Sequence, residues 1–153
     1  MRRQYPKGAV LSYALSESKV HESQRFKEVW NGLPNNVVPV RSLADAAYCG
    51  EACLAAARLH GATPLHAIKK NAKGLLERRV NYNRLVHFAR HFPRRFAALT
   101  AKRNHAETVF SMIGNLFGYR LRCRKNASRK NEVRCKLAMF NIHQLAMTSE
   151  FWS

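Results

Sequence analysis

At 153 residues, with 46% apolar and 10% aromatic side chains, the chain is long enough for a single domain over residues 1–153 with a core of its own, and too short for two domains of ordinary size. It lacks a run of eighteen apolar residues, which excludes a membrane-spanning helix, and Met1-Arg2-Arg3-Gln4-Tyr5-Pro6 leads into no apolar signal core, so a cytoplasmic location is expected. Lys plus Arg number 27 against 9 Asp plus Glu, a net charge of +18, and such an excess repels itself unless a polyanion screens it.

In chain order, Ala9 to Leu15 reads as a strand, ended by the polar stretch Ser16-Glu17-Ser18-Lys19. Residues 22–31, with Phe26, Val29 and Trp30 at helical spacing, read as a short amphipathic helix, and Asn31 to Asn36 as a turn. Val37 to Ala44 is a second strand, with Pro39 favouring an edge or early position. Glu51 to Leu59 is an alanine-rich helix closed by Gly61, and Thr63 to Ile68 a third strand. That alternation is the one expected when helices cover a sheet.

Beyond residue 81 the pattern turns helical, over 82–92, 94–102 and 104–117, broken at Pro93 and at Lys102-Arg103-Asn104. A loop from Gly118 to Ala127 holds Arg120, Arg122, Arg124 and Lys125. The last helix, near 129–147, is apolar around most of its circumference and is expected to pack inside the domain. The tail from Ser149 to Ser153 has no assignment.

The charge is unevenly placed along these elements. Residues 66–136 hold nineteen basic groups against Glu77, Glu107 and Glu132, whereas residues 1–65 hold eight basic and five acidic. Nucleic acid is the natural partner, because each neutralised phosphate releases counterions. Cysteines are few (Cys49, Cys53, Cys123, Cys135) and their spacing supplies no second close pair for zinc. His87 and His91 stand four apart without a third ligand, which reads as a surface pair.

Asp45 is the sole aspartate, and it follows the second strand, where open α/β sheets place ligands and catalysis. It also suits the N-cap of the helix that follows. Glu107 lies near the start of the 104–117 helix, with Arg103 and Gly114 on the side opposite Val109, Met112, Ile113, Leu116 and Phe117. Asn104 with Glu107 three residues on is also a capping-box pattern.

Asn104-His105-Ala106-Glu107-Thr108-Val109-Phe110-Ser111-Met112-Ile113, then Phe117-Gly118, Arg120-Leu121-Arg122, and Arg129-Lys130-Asn131-Glu132-Val133 with Lys136 and Asn141, resemble the C-terminal signature of DDE insertion-sequence transposases. That signature reads Y-x2-R-x3-E-x6-K, followed by Phe-Gly, an Arg-rich loop and a final helix; Arg103 and Glu107 match its R-x3-E. Ala44 to Ala52 is similar to the stretch around the family's second catalytic aspartate, and Val20-His21-Glu22-Ser23 resembles the segment after its strand pair.

The resemblance implies an α/β, RNase H-like fold: a mixed sheet flanked by helices, its N-terminal part incomplete here and its C-terminal half mostly helical. It implies Asp45 and Glu107 as catalytic and metal-holding positions for Mg2+ (or Mn2+), in metal-dependent DNA strand cleavage and transfer. It further implies Arg103, Arg120, Arg122, Arg124, Arg129 and Lys130 as DNA-binding residues. Three departures stand out: Thr100 replaces the motif's tyrosine, Gly114 its lysine, and a single aspartate leaves the first acid position unfilled. A truncated C-terminal portion, inactive alone, is therefore expected. Its partners would be double-stranded DNA (transposon ends and target) and either the missing N-terminal part or a full-length transposase. The alternative is a catalytically dead basic DNA-binding remnant, or a regulator of a full-length transposase.

Overall fold

The computed structural model describes residues 8–15, 22–73 and 77–147. Ser16 to Lys19, Val20, His21 and the tail from Ser149 lie outside the described residues. The chain divides into two compact units, one spanning Ser12–Arg103 and the other Met1–Leu11 with Asn104–Ser153.

In the larger unit, a 3-10 turn at Glu22–Arg25 leads into α1 (Phe26–Asn31), as the spacing of Phe26 and Trp30 predicts. Strand β1 (Arg41–Ser42) pairs in parallel with β2 (Thr63–Pro64), Arg41 opposite Thr63 and Ser42 opposite Pro64. Their hydrogen bonding runs further than the strands themselves. Thr63 N–H donates to Val40 O at 3.0 Å, Leu65 N–H to Ser42 O at 2.8 Å and Ala67 N–H to Ala44 O at 2.8 Å. Between the strands lies α2 (Glu51–Leu59), the crossover that a parallel pair requires.

Helix α2 is alanine-rich because it must pass close to neighbours on more than one side. Ala56 and Ala57 pack with Trp30 and Ala62, flanked by Phe26 and Leu33, while Leu54 packs with Cys49 and Leu85, flanked by Ile68, Tyr82 and Phe96. Its end is a Schellman motif: Gly61 at φ +81° sends its N–H to Arg58 O, and Ala62 N–H reaches Ala57 O at 3.0 Å. That turn delivers the chain to β2. Helix α3 (Val80–His91) follows, and Phe92 leaves the helical region at φ −130°, ψ 57°, because a following proline disfavours helical geometry at that residue. Pro93 then opens α4 (Pro93–Thr100), where its missing N–H costs nothing. A 3-10 turn at Ala101–Arg103 closes the unit.

The smaller unit is built on α5 (Asn104–Phe117) and α6 (Asn126–Met147). Two expectations are corrected here. Residues 9–15 form no strand; within this unit the backbone of Val10 is instead paired by a side chain, its N–H donating to Asn141 Oδ1 at 2.8 Å and its carbonyl accepting from Asn141 Nδ2 at 2.7 Å. A carboxamide offers the same donor and acceptor as a peptide group, so Asn141 takes the role of a neighbouring strand at this one residue. Nor does α6 pack inside: Phe140 is its one buried residue, and Met139, Ile142, Leu145 and Met147 are exposed. Arg129, Lys130, Glu132, Arg134 and Lys136 are interleaved with its apolar residues, so the helix is not apolar all round and has no single apolar face to bury.

The architecture is therefore mixed α/β, with a small parallel pair of strands among the described residues and a C-terminal half that is almost entirely helical. No helix among the described residues is long and apolar enough to cross a membrane.

Candidate functional site

Asp45 stands one residue past the last hydrogen bond of the parallel ladder, on the turn into the 3-10 helix Ala46–Tyr48. Its backbone is extended at φ −69°, ψ 166°, and its carbonyl accepts from Tyr48 N–H at 3.0 Å. The side chain makes no capping hydrogen bond, so the N-cap role leaves its carboxylate unexplained.

The turn is pinned from below by His66, which is fully buried. Its Nδ1–H donates to Tyr48 O at 2.8 Å, which leaves Nε2 to accept from the Ser42 hydroxyl at 2.8 Å. Phe26 meets the His66 ring edge-on and lies against Tyr48. Burial pushes the His66 pKa down, although the bond to Tyr48 O opposes the shift, so the neutral ring is the form built into the fold. A histidine inside an otherwise apolar strand is the one sequence signal that could have marked this support.

Asp45 is met by Arg103, whose Nη1 lies 3.1 Å from Asp45 Oδ1. The aspartate side chain is 63% exposed and the arginine 32%, which makes this an accessible pair rather than a buried one. Arg103 Nε is buried with no hydrogen-bond partner among the described residues. The larger unit thus brings together the sole aspartate and the arginine of the R-x3-E block.

Glu107 belongs to the smaller unit, on the first turn of α5, and is exposed. The capping box that Asn104 and Glu107 suggest is not formed: among the described residues neither side chain makes the reciprocal bond, and Asn104 O instead accepts from the Thr108 hydroxyl at 3.0 Å. Gly114 is buried, because the ring of Tyr119 lies directly over it. The phenol bonds Asn115 Oδ1 at 3.1 Å and Ser111 O at 3.5 Å. A side chain at position 114 would run into that ring, which accounts for the absence of lysine there.

Arg120, Arg122, Arg124, Arg129 and Lys130 are all exposed in the smaller unit. The loop that carries the first three is tied to α6 by Glu132 and Lys136, to which sequence reasoning gave no role, and by Arg129. Glu132 accepts from Arg122 N–H, at 2.9 Å to Oε2, and from Cys123 N–H at 3.0 Å. Lys136 donates to Gly118 O at 3.2 Å and Arg120 O at 3.0 Å, and pairs with Glu132 at 3.2 Å. Arg129 Nε donates to Cys123 O at 2.9 Å. The backbone N–H groups of Cys123 and then Arg122 hold the Glu132 carboxyl down from 4.5 to about 2. The i, i+4 spacing of Glu132 and Lys136 was visible in the sequence; their target was not.

A hard divalent cation wants several oxygen ligands converging on one point. Among the described residues no three or more His, Cys, Asp or Glu side chains gather in that way. The Asp45 carboxylate faces a guanidinium, a cation that competes with any metal for the same oxygen. The residues at hand do not by themselves fit a two-ion centre. All four cysteines are free, with Cys49 and Cys53 buried, and the His87 and His91 rings stack on one another at 3.8 Å.

A family model described as the transposase DDE domain matches residues 6–142. The chain belongs to the transposase DDE domain family. That range takes in Asp45, Arg103, Glu107 and the arginine-bearing loop, so the resemblance carried by those motifs extends over most of the length. Neither a curated protein nor a solved structure matches the chain.

Proposed function

We propose that the chain serves DNA transposition as the part of a DDE transposase that carries the second and third acid positions, Asp45 and Glu107, together with a basic surface for duplex DNA. The observation that best supports this is the 3.1 Å pair of Asp45 with Arg103. It joins the only aspartate to the arginine of the R-x3-E motif, two residues far apart in sequence. Arg103, Arg120, Arg122, Arg124, Arg129 and Lys130 contact phosphates, and the +18 charge draws the polyanion in.

The family's chemistry uses a divalent ion, Mg2+ or Mn2+, held by carboxylate oxygens. With one aspartate in the chain, already facing a guanidinium, the acid set is incomplete. Alone, the chain binds DNA without cutting it, in an RNase H-like domain that needs a further carboxylate. The same pairing favours a second reading, a DNA-binding regulator that competes with a full-length transposase. Either role belongs in the cytoplasm, at the nucleoid.

Titration of a labelled duplex with the full chain over a series of salt concentrations tests this. Glu107→Ala should change affinity by less than about twofold, whereas Arg122→Glu should weaken it about tenfold and lower the salt slope by about 1 to 2. Supercoiled plasmid with Mg2+ or Mn2+ should stay intact. Equal losses from both substitutions, or tighter binding to structured RNA than to duplex DNA, would overturn the assignment.

A further inference from the structure

Glu132 is the only acid between Glu107 and Glu150, set among Arg120, Arg122, Arg124, Lys125, Arg129, Lys130 and Arg134. A carboxylate there repels the phosphates that its neighbours attract, so on charge alone it weakens any polyanion site. Its geometry supplies a reason for its presence. It is only 15% exposed, and both oxygens are spent on the backbone N–H groups of Arg122 and Cys123, while Lys136, 16% exposed, takes the carbonyls of Gly118 and Arg120. One turn of α6 thus supplies an acceptor and a donor to the main chain of the loop, at Gly118, Arg120, Arg122 and Cys123. Five backbone groups of the loop, the carbonyls of Gly118, Arg120 and Cys123 and the N–H groups of Arg122 and Cys123, are bonded by α6, and the side chains of Arg120, Arg122 and Arg124 remain exposed.

We propose that Glu132 and Lys136 are positioning residues, a clasp that holds residues 118–123 in one conformation so that the arginines meet DNA phosphates without first having to be ordered. This rests on the reading of the loop as a DNA contact. Rigidifying a binding loop beforehand raises affinity because the ordering cost is not met at the moment of binding.

The sign of one substitution separates the clasp from simple electrostatics. Removing a negative charge from a cationic surface should tighten DNA binding. The clasp requires the opposite: in the full chain, Glu132→Ala should weaken binding to a labelled duplex of arbitrary sequence by about five- to tenfold. Hydrogen exchange at the Arg122 and Cys123 amides should quicken while exchange inside α6 holds. Unchanged or tighter binding overturns the inference, and so does a loss of affinity with slow exchange at those two amides. Should Glu132→Ala unfold the unit, Glu132→Gln decides: it keeps the shape and one acceptor oxygen, and must also weaken binding despite the lost negative charge. A companion variant with Arg120, Arg122 and Arg124 all changed to Gln keeps the two readings apart. If it loses affinity while the Glu132 variants do not, the clasp fails and DNA contact stands. If it loses none, the contact itself fails.

Discussion

Tyr119 lays its ring against the one position in α5 that has no side chain. In an ordinary helix interior, glycine costs about 1 kcal/mol relative to alanine, so Gly114→Ala should stabilise. Here the added Cβ meets the Tyr119 ring, which must swing off α5 and give up its bonds to Asn115 and Ser111. Gly114→Ala is therefore expected to destabilise by about 1 kcal/mol, and to stabilise when made in a Tyr119→Ala background. Urea melts of the four proteins in that cycle measure both signs; alanine stabilising in both backgrounds removes the packing explanation. The replacement of the family's lysine by glycine was readable in the sequence. That a tyrosine five residues on covers the gap was not, because the ring returns to α5 only after the chain has turned at Gly118, where φ is +78°.

At the scale of elements, α3 begins without a capping residue of its own. Arg79 at its N-cap makes no side-chain bond, and Glu51, at the start of α2, reaches across instead. Its carboxylate accepts from Asn81 N–H at 3.1 Å, Asn81 Nδ2 at 2.7 Å and Tyr82 N–H at 2.9 Å. Burial pushes the Glu51 pKa up, but these hydrogen bonds and the charge of Arg79 outweigh it, and the net shift is downward from 4.5. A carboxyl whose pKa is lower in the fold contributes stability that is present above its unfolded value and lost as pH falls through the folded one. Glu51→Gln should cost about 1 to 2 kcal/mol at pH 7. The gap between wild type and variant should close as pH drops below 4.5; a gap that stays constant down to pH 3 would refute the cap. Helices α2 and α5 were legible to the residue because Gly61 and Gly118 follow their ends and, in α5, a clear apolar face runs along one side. Strands β1 and β2 fall inside the second and third expected strands, but two paired residues are too short an alternation for their bounds to be read; the exposure of α6 was not legible, because its apolar and charged residues interleave.

For the whole molecule, charge dominates. With +18 on 153 residues, self-repulsion opposes compaction, and salt screens it. The melting temperature should rise between about 50 and 500 mM NaCl, opposite to the weakening that salt imposes on DNA binding over the same range. A short duplex added at low salt should raise it further, by mass action on the folded state. A melting temperature that falls with salt would mean that ion pairs such as Arg103 with Asp45 outweigh the repulsion.

The sequence by itself determined the family, the basic character, the positions of the helices and the two acids worth asking about, because residue identity and near-neighbour spacing are local quantities that need no fold to be read. Tertiary structure alone decided that Asp45 faces Arg103, that His66 underpins its turn, that Asn141 stands in for a strand at Val10, and that Glu132 and Lys136 shape the arginine loop. Each of these is a hydrogen bond or ion pair between groups brought together by packing, and polar partners are chosen by distance and direction in space, which no linear spacing records.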